Sequence, residues 1–350
     1  MFDPAAHPDG WHNVTAPGGY EWWYFDAESA DRRYHIVAIF LQGFVFHPGY
    51  VRKYEAFRRR PSKVRPPVAG DFPCAYFVVY EHGKIRKQLM TQLAPADFRA
   101  DRDRPSVAIG PNTMSFDGDY RLHLEGVPWE LTMRGPQFLT RETLSSDLTF
   151  KPVLAGLDER TFFDRSWSGA DHRWILAAPR CEVDGQIDLG DGETVAFQGA
   201  GYHDHNFGTG PIGPGLDRWL WGRVLTSSGV TAFHYARPAD ASLPAETHLL
   251  EVDRNGPRES DPPVTLEGAR HSSWRLAFPQ SAHFGQSLSL SNPRVVDSAP
   301  FYMRLIYDAT LHGESAQAFC EIAYPHRLRW PVLGRMVEMS IDKTAVKQTS

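Results

Sequence analysis

The stretch Gly201-Tyr202-His203-Asp204-His205-Asn206-Phe207-Gly208 sets a phenol, two imidazoles, a carboxyl and an amide between two glycines. In an extended chain successive side chains alternate, so Tyr202, Asp204 and Asn206 share one face while His203 and His205 share the other. A carboxyl pressed into an apolar pocket has its neutral form favoured by desolvation. It can then act as a general acid at neutral pH, its proton oriented by a neighbouring phenol or imidazole. Asp204 is the leading candidate for such an acid, with Tyr202, His203 and His205 as catalytic partners and Asn206 on the substrate side. The plain alternative is an Asp in a turn, bonding local backbone amides. His203 and His205 could instead ligate a metal, but further ligands would have to come from His172, His234, His271, His283 or a carboxylate, none at diagnostic spacing. Satisfied polar histidines or partners of Asp204 are the preferred reading, and no metal is expected.

Two aromatic strands accompany this block. Trp219, Trp221 and Arg223 fall on one face of an extended segment, and electron-rich rings stabilise a carbocation by roughly 1–2 kcal/mol each when desolvated. The ordinary reading of any one of these tryptophans is a barrel core. In Glu21-Trp22-Trp23-Tyr24-Phe25-Asp26, Glu21, Trp23 and Phe25 face one way and Trp22, Tyr24 and Asp26 the other. A Glu opening so aromatic a strand makes Glu21 and Trp23 candidate substrate contacts. Acid, imidazoles and indoles together point to proton chemistry on an apolar molecule.

The elements that must position these groups read as strands. Trp22 to Phe25, Tyr34 to Phe46, Ala75 to Glu81, Tyr120 to Leu124, Trp129 to Met133 and Trp219 to Val224 are β-rich and of strand length. Turn dipeptides such as His82-Gly83, Asp117-Gly118 and Asn255-Gly256 punctuate them. Many short strands at this spacing predict an antiparallel all-β sandwich or barrel. Short helices are expected around Leu89 to Phe98 and Pro300 to Leu305. The Gly/Pro-rich run Gly208 to Gly215 predicts a boundary, with one domain over 1–210 and a second over 211–350.

The 350 residues suffice for one large or two ordinary domains, and 42% hydrophobic with 23% charged residues is ordinary globular composition. A net charge of −5 gives no footprint for nucleic acid. Cys74, Cys181 and Cys320 are too scattered for a disulfide framework or a thiolate zinc site. No signal peptide or apolar run of spanning length is present, which predicts a soluble cytoplasmic protein. Gly208-Thr209-Gly210 followed by Gly213 imitates a dinucleotide fingerprint, but Pro211, Pro214 and the missing βαβ context argue against it, so no redox cofactor is implied. Arg52 to Arg65 carries seven Lys/Arg against one Glu. Its default is a solvated loop and its alternative a peripheral contact with a membrane surface, with a weaker patch at Arg327, Arg329, Trp330 and Arg335.

Glu21 to Tyr24, then Val107 to Pro111, then His172-Arg173-Trp174 with Ala178-Pro179, then the 201–208 block and Asp297 to Tyr302 occur in the order found in carotenoid 1,2-hydratases (hydroxyneurosporene synthases), which the chain resembles from about Gly19 onward. The resemblance implies two consecutive lipocalin-like β-barrels and cofactor-free addition of water across the terminal C1–C2 double bond of an acyclic carotenoid. It carries the proton donor onto Asp204, with Tyr202 beside it, and the aromatic support onto Trp174, with Trp219 and Trp221 further candidates. Phe207 departs from the pattern, standing where Trp is common. Similar two-barrel proteins include prenyl-chain cyclases and pericyclic enzymes, and a non-catalytic carrier of lipophilic ligands is a further alternative.

Overall fold

The computed structural model describes residues 5–158, 160–163, 171–213 and 215–343; Pro214, in the connector expected to divide the chain, lies outside them. Two compact units are present. One holds the described residues up to 163, 171–211 and 329–343, the other those from 212 to 328.

The first unit contains β1 (Tyr20–Ser29), β2 (Tyr34–Gln42), β3 (Cys74–Glu81), β4 (Lys84–Gln92), β5 (Phe98–Asp101), β6 (Ser106–Ile109), β7 (Asn112–Asp117) and β8 (Asp119–Gly126). It continues through β9 (Trp129–Thr132), β10 (Gly135–Phe138), β11 (Leu144–Pro152), β12 (Arg160–Phe163), β13 (His172–Asp188) and β14 (Thr194–Gly208). Twelve of these form one antiparallel sheet in the order β4-β3-β2-β1-β14-β13-β11-β8-β7-β6-β5, with β12 joined to β13, while β9 and β10 form a separate hairpin. The second unit is a nine-stranded sheet of β15 (Leu216–Leu225), β16 (Val230–Pro238), β17 (Glu246–Asp253), β18 (Gly256–Ser260), β19 (Val264–His271), β20 (Ala277–Phe284), β21 (Leu288–Ser298), β22 (Tyr302–Leu311) and β23 (Glu314–Ala323). The all-β, lipocalin-like architecture expected from the sequence is present, each sheet around its own core.

Period-two alternation builds those cores. In the first unit Trp23, Phe25 and Ala27 of β1 pack with Ile36, Ala38 and Phe40 of β2 and Phe77 of β3. In the second, Leu220 and Val224 of β15 join Phe233, Met303, Leu305 and Tyr307. No helix of the described residues is long and apolar enough to cross a membrane.

Helices stand elsewhere than expected. Leu89 to Phe98 completes β4, makes a single 3-10 turn at Pro95–Asp97 and opens β5, because Leu89 must point into the core where Pro95 and an alternating pattern forbid a long helix. Tyr302 begins β22, whose Met303 and Leu305 feed the second core at period two. The basic run taken by default as a loop is instead helical over most of its length. Helix α1 (Pro48–Arg59) starts with Pro at its first turn and a His47 side chain that accepts Gly49 N–H at 2.9 Å. It buries Tyr50, whose hydroxyl donates to Gly19 O at 2.5 Å. A second helix, α2 (Pro331–Met339), follows β23 and belongs to the first unit. Beyond it Asp342 pairs with edge strand β4, its N–H donating to Met90 O and its carbonyl accepting Gln92 N–H, both at 2.8 Å.

The glycines bracketing the 201–208 block are there because neighbours leave no room for a side chain. A Cβ on Gly201 would lie 2.6 Å from Val183 and 2.7 Å from Phe150, and one on Gly208 would lie 2.5 Å from the Tyr20 hydroxyl. Gly201→Ala is expected to lower stability by about 2 kcal/mol through overpacking, read as a shift in urea midpoint at unchanged slope.

Candidate active site

Strand β14 runs antiparallel between β1 and β13, so every residue of the polar block has a neighbour on each side. Asp204 pairs with Tyr24, while Asn206 pairs with Trp22 on one flank and Trp174 on the other. Alternation then collects Trp22, Tyr24, Trp174, Tyr202, Asp204, Asn206 and His172 on one face, the face of the sheet away from the first core. Three donors converge on the Asp204 carboxyl. The Tyr202 hydroxyl donates to Oδ2 at 2.7 Å, the Trp174 indole N–H donates to the same oxygen at 3.0 Å, and Asn206 Nδ2 donates to Oδ1 at 2.7 Å. All four side chains are buried.

Two ionisable side chains beside this carboxyl, Tyr202 and His172, are held neutral. Burial, with the Asp204 charge beside it, pushes the Tyr202 hydroxyl far above its ordinary range. Burial pushes the His172 imidazole down to about 3 against an opposing hydrogen bond that it donates to Asn206, so it is neutral at physiological pH. Its Nδ1 lies 2.5 Å from the Tyr20 hydroxyl, which burial keeps protonated. Trp22 stacks on Tyr20 at 5.0 Å and tilts against His172 at 5.6 Å, and Tyr24 meets Tyr202 edge-on at 6.4 Å. The face is a carboxyl with fixed donors, set among aromatic rings.

The other face of β14 carries a separate cluster. His203 and His205 point into the first core, where the chain before β1 folds in to meet them. Asp9 Oδ2 lies 3.1 Å from His203 Nε2 and accepts the Tyr120 hydroxyl at 2.9 Å, and Asp9 Oδ1 lies 3.2 Å from His205 Nδ1. Glu21 Oε1 takes the His12 backbone N–H at 2.7 Å and lies 3.0 Å from His205 Nε2. His203 stacks on Phe25 at 3.7 Å, and His205 on Trp23 at 4.4 Å. Burial opposes charge on His205, but hydrogen bonds and charge from Asp9 and Glu21 outweigh it and push the imidazole up to about 9. The same contacts outweigh the opposite effect of burial on Asp9 and Glu21, holding both carboxyls below their ordinary range. His12, Glu21 and His205 also offer ligand atoms within 4.8 Å of one another, so a cation could be held there.

The expected residues therefore divide. Asp204, Tyr202, Asn206 and Trp174 come together. His203, His205, Glu21 and Trp23 share the opposite face, where Trp23 donates its indole N–H to Asp9 O at 3.2 Å, so none of the four adjoins the Asp204 carboxyl. Phe207 is also on that face, stacked on His12 at 3.8 Å and turned away from the Asp204 carboxyl. Trp219 and Trp221 are buried on β15 in the second unit, on the strand face opposite Leu220 and Val224 of that core. Trp22, Tyr24 and His172 were not singled out beside Asp204, although the alternation of β1 already put Trp22 and Tyr24 together. Asp9 and His12 left no sequence signal, since they lie in an irregular segment.

A family model described as carotenoid hydratase CrtC matches residues 39–350. The chain belongs to this family. It is 29% identical over 332 residues to a Chlorobaculum tepidum protein named hydroxyneurosporene dehydrogenase, covering 88% of this chain and 82% of that one. It is 27% identical over 337 residues to the acyclic carotenoid 1,2-hydratase of Rubrivivax gelatinosus, with 90% and 73% covered, and 26% identical over 347 residues to that of Thiocapsa roseopersicina, with 97% and 77% covered. In fold it is similar to a Nitrosomonas europaea protein assigned as AttH (TM-score 0.61, 15% identity, 90% and 94% covered) and to kievitone hydratase from Nectria haematococca (0.51, 11%, 93% and 98%).

Membership of the carotenoid hydratase family does not explain the second cluster, whose consequence is stability. The His205 contribution is fully present below its unfolded value near 6.5 and is lost as pH rises through about 9. The Asp9 and Glu21 contributions are present above their ordinary values of 3.8 and 4.5 and are lost as pH falls through the lower folded values. Urea melts are expected to give maximal stability between these limits. His205→Gln should cost about 3–5 kcal/mol at pH 7, because it strands two buried carboxylates, and should flatten the alkaline loss.

Proposed function

We propose that this member of the carotenoid hydratase family adds water across the terminal C1–C2 double bond of an acyclic carotenoid, with Asp204 as the proton donor. The observation that carries the reading is the convergence of three side-chain donors on one buried carboxyl among aromatic rings. Burial favours the neutral acid that must be present at the start, whereas the three donors favour the carboxylate that remains after the proton leaves. Burial and the three donors therefore act in opposite directions on the same proton.

Asp204 transfers its proton to C2, the alkene π electrons form the new C–H bond, and a tertiary cation is left at C1. Trp174, Trp22 and Tyr24 offer ring faces whose attraction for a cation exceeds that for a neutral alkene, the differential that lowers a barrier. Water attacks C1, and its proton returns to the Asp204 carboxylate, which restores the acid. Tyr202 holds the carboxyl in one orientation, and Asn206 links it to His172. No step draws on His203 or His205, whose role in this reading is to fix β14.

The test is incubation of wild-type and Asp204→Asn protein with lycopene or neurosporene in detergent and H₂¹⁸O, read by mass spectrometry. Wild type should yield a product heavier by one labelled water, and Asp204→Asn none, with unchanged melting. Tyr202→Phe should lose about 10²-fold in kcat. An isomer of unchanged mass would instead mean capture of the same cation by a second double bond, and the enzyme would be a cyclase.

A further inference from the structure

Large apolar side chains are exposed together at one place on the first unit. Leu131 and Met133 stand at the tip of the β9–β10 hairpin, and Trp330, Val332 and Met339 lie on or just before α2; each is more than half exposed, and Met133 fully so. On α2 the exposed residues Val332, Arg335 and Met339 fall at i, i+3 and i+7, one stripe of the helix, while Gly334 and Val337 face inward. Hairpin and helix adjoin, since a Cβ on Gly135 at the start of β10 would lie 3.4 Å from Met339 Cε. Helix α1 lies alongside, tied by Arg52 to Glu338 at 2.9 Å and by Glu55 to Arg329 at 3.6 Å.

Cations outnumber acids around this patch, where Glu130 of β9 is an exposed acid and Glu338 and Glu55 are paired. Arg52 is paired with Glu338, Arg58 with Glu55 and Arg65 with Asp71. Lys53 lies over the Phe72 ring; that leaves Arg59 in the last turn of α1, Arg60 and Lys63 beyond it, Arg134 at the hairpin tip and Arg335 on the α2 stripe, all exposed and without an acidic partner among the described residues. Apolar side chains on two projecting elements, edged by unpaired cations, match the chemistry of an anionic bilayer: methylenes and an indole enter the headgroup boundary while guanidinium groups meet phosphate. A twofold contact between two copies would bring this cationic edge against itself, which like-charge repulsion disfavours.

We propose that the α2 stripe, the Met133–Arg134 hairpin tip and the basic end of α1 form a docking face for anionic lipid membrane. This goes beyond the hydratase reading and does not depend on it. Docking would hold the chain on the surface of the phase in which a carotenoid dissolves, so that substrate need not cross water.

The experiment is flotation of the full chain with vesicles of phosphatidylcholine alone or mixed with phosphatidylglycerol, with the chain's mass in solution read by light scattering. Wild type should float at least tenfold more with the anionic vesicles at low salt, and less as salt rises. Met133→Ser/Val332→Ser/Met339→Ser should abolish flotation, and Arg59→Glu/Arg60→Glu/Lys63→Glu should remove the preference for phosphatidylglycerol, both with unchanged melting. Absence of flotation, or flotation unchanged by both sets, overturns the proposal. So does a wild-type dimer that the serine substitutions split, since the occupant is then a second copy. Because flotation needs no turnover, a chain that floats but does not hydrate refutes the hydratase assignment and leaves the docking face standing.

Discussion

Everything described here depends on the register of β14. Its side chains alternate between two chemistries, a carboxyl with neutral donors on one face and a charged imidazole, His205, between carboxylates on the other. A slip of one residue against β1 would exchange the faces, burying Asp204 against Phe25 and turning His205 away from Asp9 and Glu21. Backbone pairing alone does not forbid such a slip, since ladder hydrogen bonds are indifferent to side chains. The bridge Asp9–His205–Glu21 does, because a displaced imidazolium would leave two buried carboxylates uncompensated.

This explains a division of labour within a short sequence. In the proposed reaction Asp204 exchanges a proton, and its partners are neutral donors that tolerate either of its states. Groups that anchor must not exchange protons, so they are opposite charges held against each other. Tyr202 and His203 are adjacent in the chain yet serve the two regimes, separated by the thickness of one sheet.

What could be read from the sequence follows the range of the forces involved. Asp204 and its same-strand partners Tyr202 and Asn206 were legible because period-two alternation is local. Trp174 came from resemblance, since it reaches Asp204 only through β13–β14 pairing. That His203 and His205 face away from Asp204 was already contained in the same alternation, while Asp9, which contacts both, lies 194 positions before His203, in a segment without periodicity. The strands were legible from aromatic and β-branched runs. Helix α1 was hidden because a run of seven cations looks like a solvated loop, and only His47, Pro48 and the burial of Tyr50 make it a helix.

The pairing of Asp342 with β4 has a consequence for how the molecule is made. In topology the second unit is an insertion within the first: the chain leaves after Pro211 and returns at Arg329. A ribosome delivers residues in order, yet the open edge of the large sheet pairs with a residue made only after the whole second unit. Until then β4 presents unpaired backbone groups to any passing strand. The first unit is thus begun early and closed late, and the whole second sheet is synthesised during that interval of exposure.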